Sequence, residues 1–187
     1  MTRTALVVIL LAGLTAVATA RAATTGSVTV NATVNAGSTL SVAASGTPSF
    51  ALTLNGADQT ASYTLPVSVV DARGLASGGG WNLTITSTTF TDSSGHTFPT
   101  SASTVTGVAT SCGTGSTCTV PTNNVANTNL AVPAGTAAPT AVKYENAANA
   151  TGLGTTNVSA TVSVAVPANA FAGTYSSTVT VAVAAGP

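Results

Sequence analysis

Charge is almost missing from this 187-residue chain: four Lys and Arg stand against four Asp and Glu, 4% of all residues. Beyond residue 22 the charged side chains are Asp58, Asp71, Arg73, Asp92, Lys143 and Glu145. A surface with no dominant sign steers neither phosphate backbones nor anionic headgroups, so nucleic acid and charged membrane are poor partners. Disorder is a poor description too, because disordered chains join high charge to low hydrophobicity and 44% of this chain is hydrophobic. Solubility has to come from hydroxyls and amides.

The same shortage removes most catalytic chemistry. His96 is the single histidine and sits in Asp92-Ser-Ser-Gly-His96, which reads as a turn. A catalytic base needs a partner that orients it and a pocket that shifts its pKa, and such a turn promises neither. The four carboxylates fall on separate turns, which disfavours the paired acids of a glycosidase. Asn123, Asn124 and residues 127–129 have the amides of a calcium loop but not its charge. Asp71 and Arg73 are expected to fix a turn together. The chain reads as a non-enzyme with no metal and no cofactor.

Cysteine is equally scarce. Cys112 and Cys118 flank Gly-Thr-Gly-Ser-Thr, and in an exported chain the two pair with each other. So small a loop stabilises by about 2 kcal/mol, enough to pin a surface loop but not to hold a domain together. Neither His nor a third Cys lies nearby to complete a metal site.

Export is legible at the start. Arg3, the apolar residues 6–14 and the small-residue stretch Ala18-Thr-Ala20-Arg-Ala22 have the three regions of a secretory signal peptide, cleaved after Ala20 or Ala22. Its apolar part is shorter than the roughly 20 residues a bilayer span needs. Residues 1–22 are therefore expected to be a signal helix and residues 23–187 one domain, with no membrane contact after cleavage. Asn31, Asn82, Asn149 and Asn157 open glycosylation acceptor patterns, as chance alone would produce in a chain so rich in Asn, Ser and Thr.

What remains is period-two alternation. Val28, Val30, Ala32 and Val34 share one face of a predicted first strand. The period returns at Leu40/Val42, Phe50/Leu52/Leu54 and Tyr63/Leu65/Val67/Val69. The Asn55-Gly56 pair predicts a hairpin joining residues 50–54 to 63–70, and Pro66 places its strand at an edge or a bulge. Trp81, Leu83 and Ile85 form one buried face, with Trp81 readable as core or, beside the Gly-rich turn 78–80, as a stacking platform. Residues 90–149 read as short strands and long loops. Order returns at Val158/Ala160/Val162/Val164/Val166 and at Tyr175, Val179, Val181 and Val183. No stretch past the signal has a helical stripe and no repeat has a fixed period. The expected fold is all-β: an antiparallel β-sandwich with many short strands and long Ser/Thr/Gly-rich loops.

The stretch Phe50-Ala-Leu52-Thr-Leu54-Asn-Gly56, then Leu65-Pro-Val67-Ser-Val69-Val-Asp71-Ala-Arg73-Gly74 and Gly79-Gly80-Trp81-Asn82-Leu83-Thr-Ile85, resembles the bacterial WxL-domain surface proteins. Trp81-Asn82-Leu83 carries the naming motif. The second family motif is matched in outline by Tyr175, with Val181 and Val183 standing where Trp and Leu would be. The resemblance implies an exported β-rich domain bound non-covalently to peptidoglycan, with Trp81, Asn82, Leu83, Tyr175, Val181 and Val183 as the motif residues. Residues 167–181 also resemble the last strand of pilus subunits and spore-coat-type adhesin domains. That second resemblance implies a fibre or coat subunit whose early strand, residues 28–34, pairs with a neighbour's sheet edge. The expectation is thus a non-catalytic secreted protein of a bacterial cell surface, partnered by wall polymer, by other surface proteins or by itself.

Overall fold

The computed structural model describes residues 27–187; the expected signal helix, residues 1–22, lies outside them. Among the described residues there is no helix, and nine strands make an all-β fold. They are β1 (Leu40–Ala44), β2 (Gln59–Asp71), β3 (Trp81–Thr88), β4 (Ser103–Cys112), β5 (Leu130–Ala131), β6 (Ala134–Gly135), β7 (Val142–Ala147), β8 (Gly154–Val166) and β9 (Val179–Ala185). One sheet has the order β1-β2-β8-β4-β5; in the other, β3 lies between β9 on one side and β7 and β6 on the other. All pairs are antiparallel except the two-residue contact of β3 with β6. Asn35–Pro187 form the sandwich.

β2 and β8 show why these residues are strands. Along β2 the buried side chains are Leu65, Val67, Val69 and Asp71, and along β8 they are Thr156, Val158, Ala160, Val162, Val164 and Val166. Strict alternation puts each set on one face. Of these, Leu65, Val67, Val69, Val158, Ala160 and Val162 meet Trp81, Leu83 and Ile85 of β3 and Tyr144 and Ala147 of β7 to form the main core. Each fully buried large apolar side chain contributes about 2 kcal/mol of transfer free energy. A second core, built on Phe98, Ala102, Val164 and Val166, fills one end of the sandwich under Phe50, Leu52, Tyr63, Phe90 and Tyr175.

Two predicted strands do not form. Residues 27–34 belong to no strand, with Val28 87%, Val30 84% and Val34 93% exposed. Residues 50–54 turn Phe50 and Leu52 toward the second core but make no ladder with β2. The Asn55-Gly56 signal is a local turn, in which the Asn55 side chain accepts from the Ala57 N–H at 3.0 Å and Gly56 has φ +82°. The long partner of β2 is β8, about a hundred residues on, with thirteen consecutive pairs from Gln59–Val166 to Asp71–Gly154. Alternation shows that a segment can bury one face; it does not say which strand supplies the hydrogen bonds.

The expected turn devices are in place. Arg73 grips Asp71 through Nε and Nη2 at 2.9 and 2.8 Å and passes a further bond to the Gly80 carbonyl at 2.7 Å. The Cys112–Cys118 disulfide closes the end of β4, Cα to Cα 5.4 Å. Its loop is zipped onto residues 152–155 by Gly113 N–H to Thr155, Thr119 N–H to Leu153 and Gly152 N–H to Thr119. The segment so held meets Trp81: the indole Nε1 donates to the Gly152 carbonyl at 3.1 Å.

Gly152 has φ +71°, and a Cβ there would stand 2.4 Å from the indole nitrogen and 2.5 Å from the Ala147 Cβ. Backbone strain and overpacking add, so Gly152→Ala should lower the unfolding free energy by roughly 3 kcal/mol. Gly46→Ala, with φ +77° but nothing within 4 Å, should lose only about 1 kcal/mol. Denaturant unfolding followed by Trp81 fluorescence measures both.

Candidate functional site

The motif residues lie in the sandwich as follows. Trp81 and Leu83 are wholly buried, and Asn82, on the opposite face of β3, donates from Nδ2 to the Gly186 carbonyl at 2.6 Å. β9 runs antiparallel beside them, with Leu83 opposite Val183 and Ile85 opposite Val181. The two motif stretches therefore meet as neighbouring strands of one sheet, with Val181 and Val183 half-buried against the main core. Tyr175 belongs to the second core instead, where it stacks on Phe98 at 4.2 Å and its hydroxyl donates to the Phe171 carbonyl at 3.1 Å. With no part of the Trp81 ring exposed, it offers no face for a ligand to stack on.

His96 has the orienting partner that its sequence context did not promise. Its Nδ1 lies 2.8 Å from Asp92 Oδ2, while Asp92 Oδ1 accepts from the backbone N–H groups of Ser94 and His96. The turn around Gly95, φ +86°, brings the two side chains together. The hydrogen bond from His96 holds the Asp92 carboxyl below its ordinary value. The imidazole stacks on Phe171 at 4.0 Å, and among the described residues no side-chain hydroxyl bonds its other nitrogen. The pair ties the residue 92–96 turn to the residue 170–175 loop.

The amides around residue 123 are also spent on structure. Asn123 Oδ1 accepts from Asn146 N–H at 3.0 Å and from Val125 N–H at 3.2 Å, and Asn146 Oδ1 accepts from Asn124 N–H. Asn127 donates to Glu145 Oε2 at 3.0 Å. Among the described residues no three His, Cys, Asp or Glu side chains converge as metal ligands. The amides pin a loop over β7 and cover Glu145, which is 2% exposed.

The feature with room for a partner lies elsewhere, at the free half of β2. β1 pairs only with residues 67–71, so, among the described residues, residues 59–66 have β8 on one side and no strand on the other. The hydrogen-bonding direction is set at both ends: the Pro66 carbonyl accepts from Ser45 N–H, and Ala72 N–H donates to Thr39, both away from β8. Backbone groups alternate in direction along a strand, so Thr60, Ser62 and Thr64 point their N–H and C=O groups to the same open side. Among the described residues no backbone bond satisfies them there. Pro66 fits because its missing donor would have faced that side, beyond the last residue of β1.

Beside this edge runs a groove of about 1050 Å³. Phe50, Leu52, Tyr63, Leu65, Phe171 and Tyr175 line it, and among the described residues no charged one does. Tyr63 stacks on Phe50 at 6.4 Å, and burial pushes its phenol up to about 12, so it stays neutral. Phe171, 62% exposed, forms part of the rim. A second hollow of about 520 Å³ is walled by hydroxyls, among them Thr88, Thr91, Thr97, Thr136 and Ser176, beside Phe98. Pro66 pointed to an edge or a bulge in this strand; which residues β1 leaves uncovered was not legible in the sequence. No family model, no curated protein and no solved structure matches this chain.

Two buried acids flank this architecture with opposite electrostatics. Burial pushes the Asp71 carboxyl up, but hydrogen bonds and charge from Arg73 outweigh it and hold the group below its ordinary value. Glu145 has no cation beside it, and burial raises its carboxyl despite the bonds from Asn127 and Asn146. A raised folded-state pKa means that the folded state binds the proton more tightly. Stability from this group is complete below the ordinary Glu value of 4.5 and is lost as pH rises through the folded value. Glu145→Gln keeps a carbonyl for Asn127 and removes that loss. The variant should match wild type below pH 4.5 and exceed it increasingly above, in denaturant titrations across pH.

Proposed function

We propose that this is a non-catalytic protein of a cell exterior that holds an extended segment of another surface protein against the free edge of β2. The observation that carries the reading is the row Thr60, Ser62 and Thr64, whose outward backbone groups make no backbone bond among the described residues, on a strand whose Tyr63 and Leu65 line an uncharged groove. An added strand gains main-chain hydrogen bonds along such an edge, while pockets beside it select alternate side chains. The export signal and the disulfide support the location. The scarcity of charge supports a partner recognised by shape and backbone.

Non-covalent attachment to peptidoglycan is the second reading. It draws on the WxL resemblance and on the hydroxyl-walled hollow, whose threonines suit the hydroxyls and amides of a glycan. The buried Trp81 moves any such contact away from the naming motif.

One variant separates the two. Ser62→Pro removes an N–H that faces the open side and puts a ring in the way of an incoming strand, while sparing the bonds to β8. Wild type should be retained on envelopes that carry their surface proteins, and Ser62→Pro should be at least tenfold less retained. Equal retention of both on protein-free peptidoglycan would favour the wall polymer. Wild type left in the supernatant of both would overturn both readings.

A further inference from the structure

We propose that residues 46–52 are a strap that closes onto the free half of β2 as a continuation of β1, so that the edge receives a partner only while the strap stands away from it. The inference rests on the strand-adding reading above and adds what regulates that same edge. Four observations lead to it.

The strap has backbone groups to spare. Residues 46–54 follow β1, belong to no strand, and line the same groove as Tyr63 and Leu65. Among the described residues, none of their N–H or C=O groups makes a backbone–backbone bond. Thr60, Ser62 and Thr64 lack backbone partners on the side that β1 would cover if it were longer.

The register agrees. β1 pairs with β2 from Leu40–Asp71 to Ala44–Val67, and the bond from Ser45 N–H to the Pro66 carbonyl keeps the same step. Continued unchanged, that step sets Thr47 opposite Thr64, Ser49 opposite Ser62 and Ala51 opposite Thr60. Thr39 and Ser45 turn their hydrogen-bonding groups toward β2, so in a continuous strand Thr47, Ser49 and Ala51 turn theirs the same way. Pro48 falls on an outward position, where its missing N–H costs no ladder bond.

The faces agree as well. Leu40 and Val42 pack against the main core, and Phe50 and Leu52 against the second. All four are an even number of residues apart, so closure asks no side chain to change faces.

Gly46 supplies the hinge. Its φ of +77° takes the chain out of the strand after Ala44, whereas a continued strand needs a φ near −140°. Nothing lies within 4 Å of the place a Cβ would take, so Gly46→Ala acts on the backbone alone. Glycine adopts either sign of φ readily, and alanine disfavours the positive one.

Amide hydrogen exchange, read residue by residue, tests the strap. In wild type the amides of Thr60, Ser62 and Thr64 should be protected together with those of Thr47, Ser49 and Ala51. Ser49→Pro removes an N–H that the closed strap needs, at an exposed position outside any strand, and leaves the β2 edge whole. It should speed exchange at Thr60, Ser62 and Thr64 by roughly threefold or more. Gly46→Ala penalises the open form and should slow the same amides by up to about fivefold. Envelope retention should rise in Ser49→Pro and fall in Gly46→Ala. Wild-type amides at Thr60, Ser62 and Thr64 that exchange at open-chain rates, or that Ser49→Pro leaves as slow as before, would overturn the strap. If that happens while Ser62→Pro still loses envelope retention, the strap fails alone. If exchange responds as expected but Ser62→Pro is retained like wild type, the closing strap stands and the strand-adding reading fails.

Discussion

Thirteen consecutive residue pairs join β2 to β8, and both strands bury alternate side chains into the same core. A slip of one residue would turn the buried face of either strand outward, so the register of this pair is tightly held. β4 completes the other side of β8, and its bulge between Val105 and Gly107 lets the remaining pairs stay in step. On the outer side of β2 the match is unequal, because β1 is five residues long and β2 thirteen. The free edge, the tolerance of Pro66 and the groove beside residues 59–65 all follow from that inequality.

The second sheet works differently. β3 is covered on both faces: Trp81, Leu83 and Ile85 enter the core, while Asn82 and Thr86 are buried on the other side. Polar groups can be buried there because loop carbonyls receive them, as when Thr86 Oγ1 donates to Pro139 at 2.9 Å and Asn82 to Gly186. A chain with few charges can bury much of its polar side-chain inventory in this way, since hydroxyls and amides cost far less to desolvate than ions. The two buried acids mark the limits of that economy, one neutralised by Arg73 and the other held by amides alone.

Much of this was legible in the residues. The faces of β2, β3, β8 and β9, the Asp71–Arg73 turn and the Cys112–Cys118 disulfide follow from spacing and local chemistry, as does the all-β class. Residues 28–34 and 50–54 have the same spacing yet form no strands, because pairing needs a neighbour that spacing does not name. Asp92 and His96 were visible as neighbours in sequence, but their contact depends on how Gly95 turns the chain. The motif residues were visible as a pattern, yet the pattern alone does not distinguish a ligand-facing ring from one sealed against Gly152.

The sequence by itself determined the all-β class, the inward faces of the main strands, the local turns and the disulfide. These depend on period two and on contacts within a few residues. Only the tertiary structure decided that β2 pairs with β8, that Trp81 is enclosed, and that Thr60, Ser62 and Thr64 make no outward backbone bond among the described residues. The reason is physical: a strand's hydrogen bonds lie in the plane of the sheet and are satisfied by whichever distant segment arrives there. The identity of that segment, and any vacancy it leaves, is a property of the assembled sheet and not of the strand.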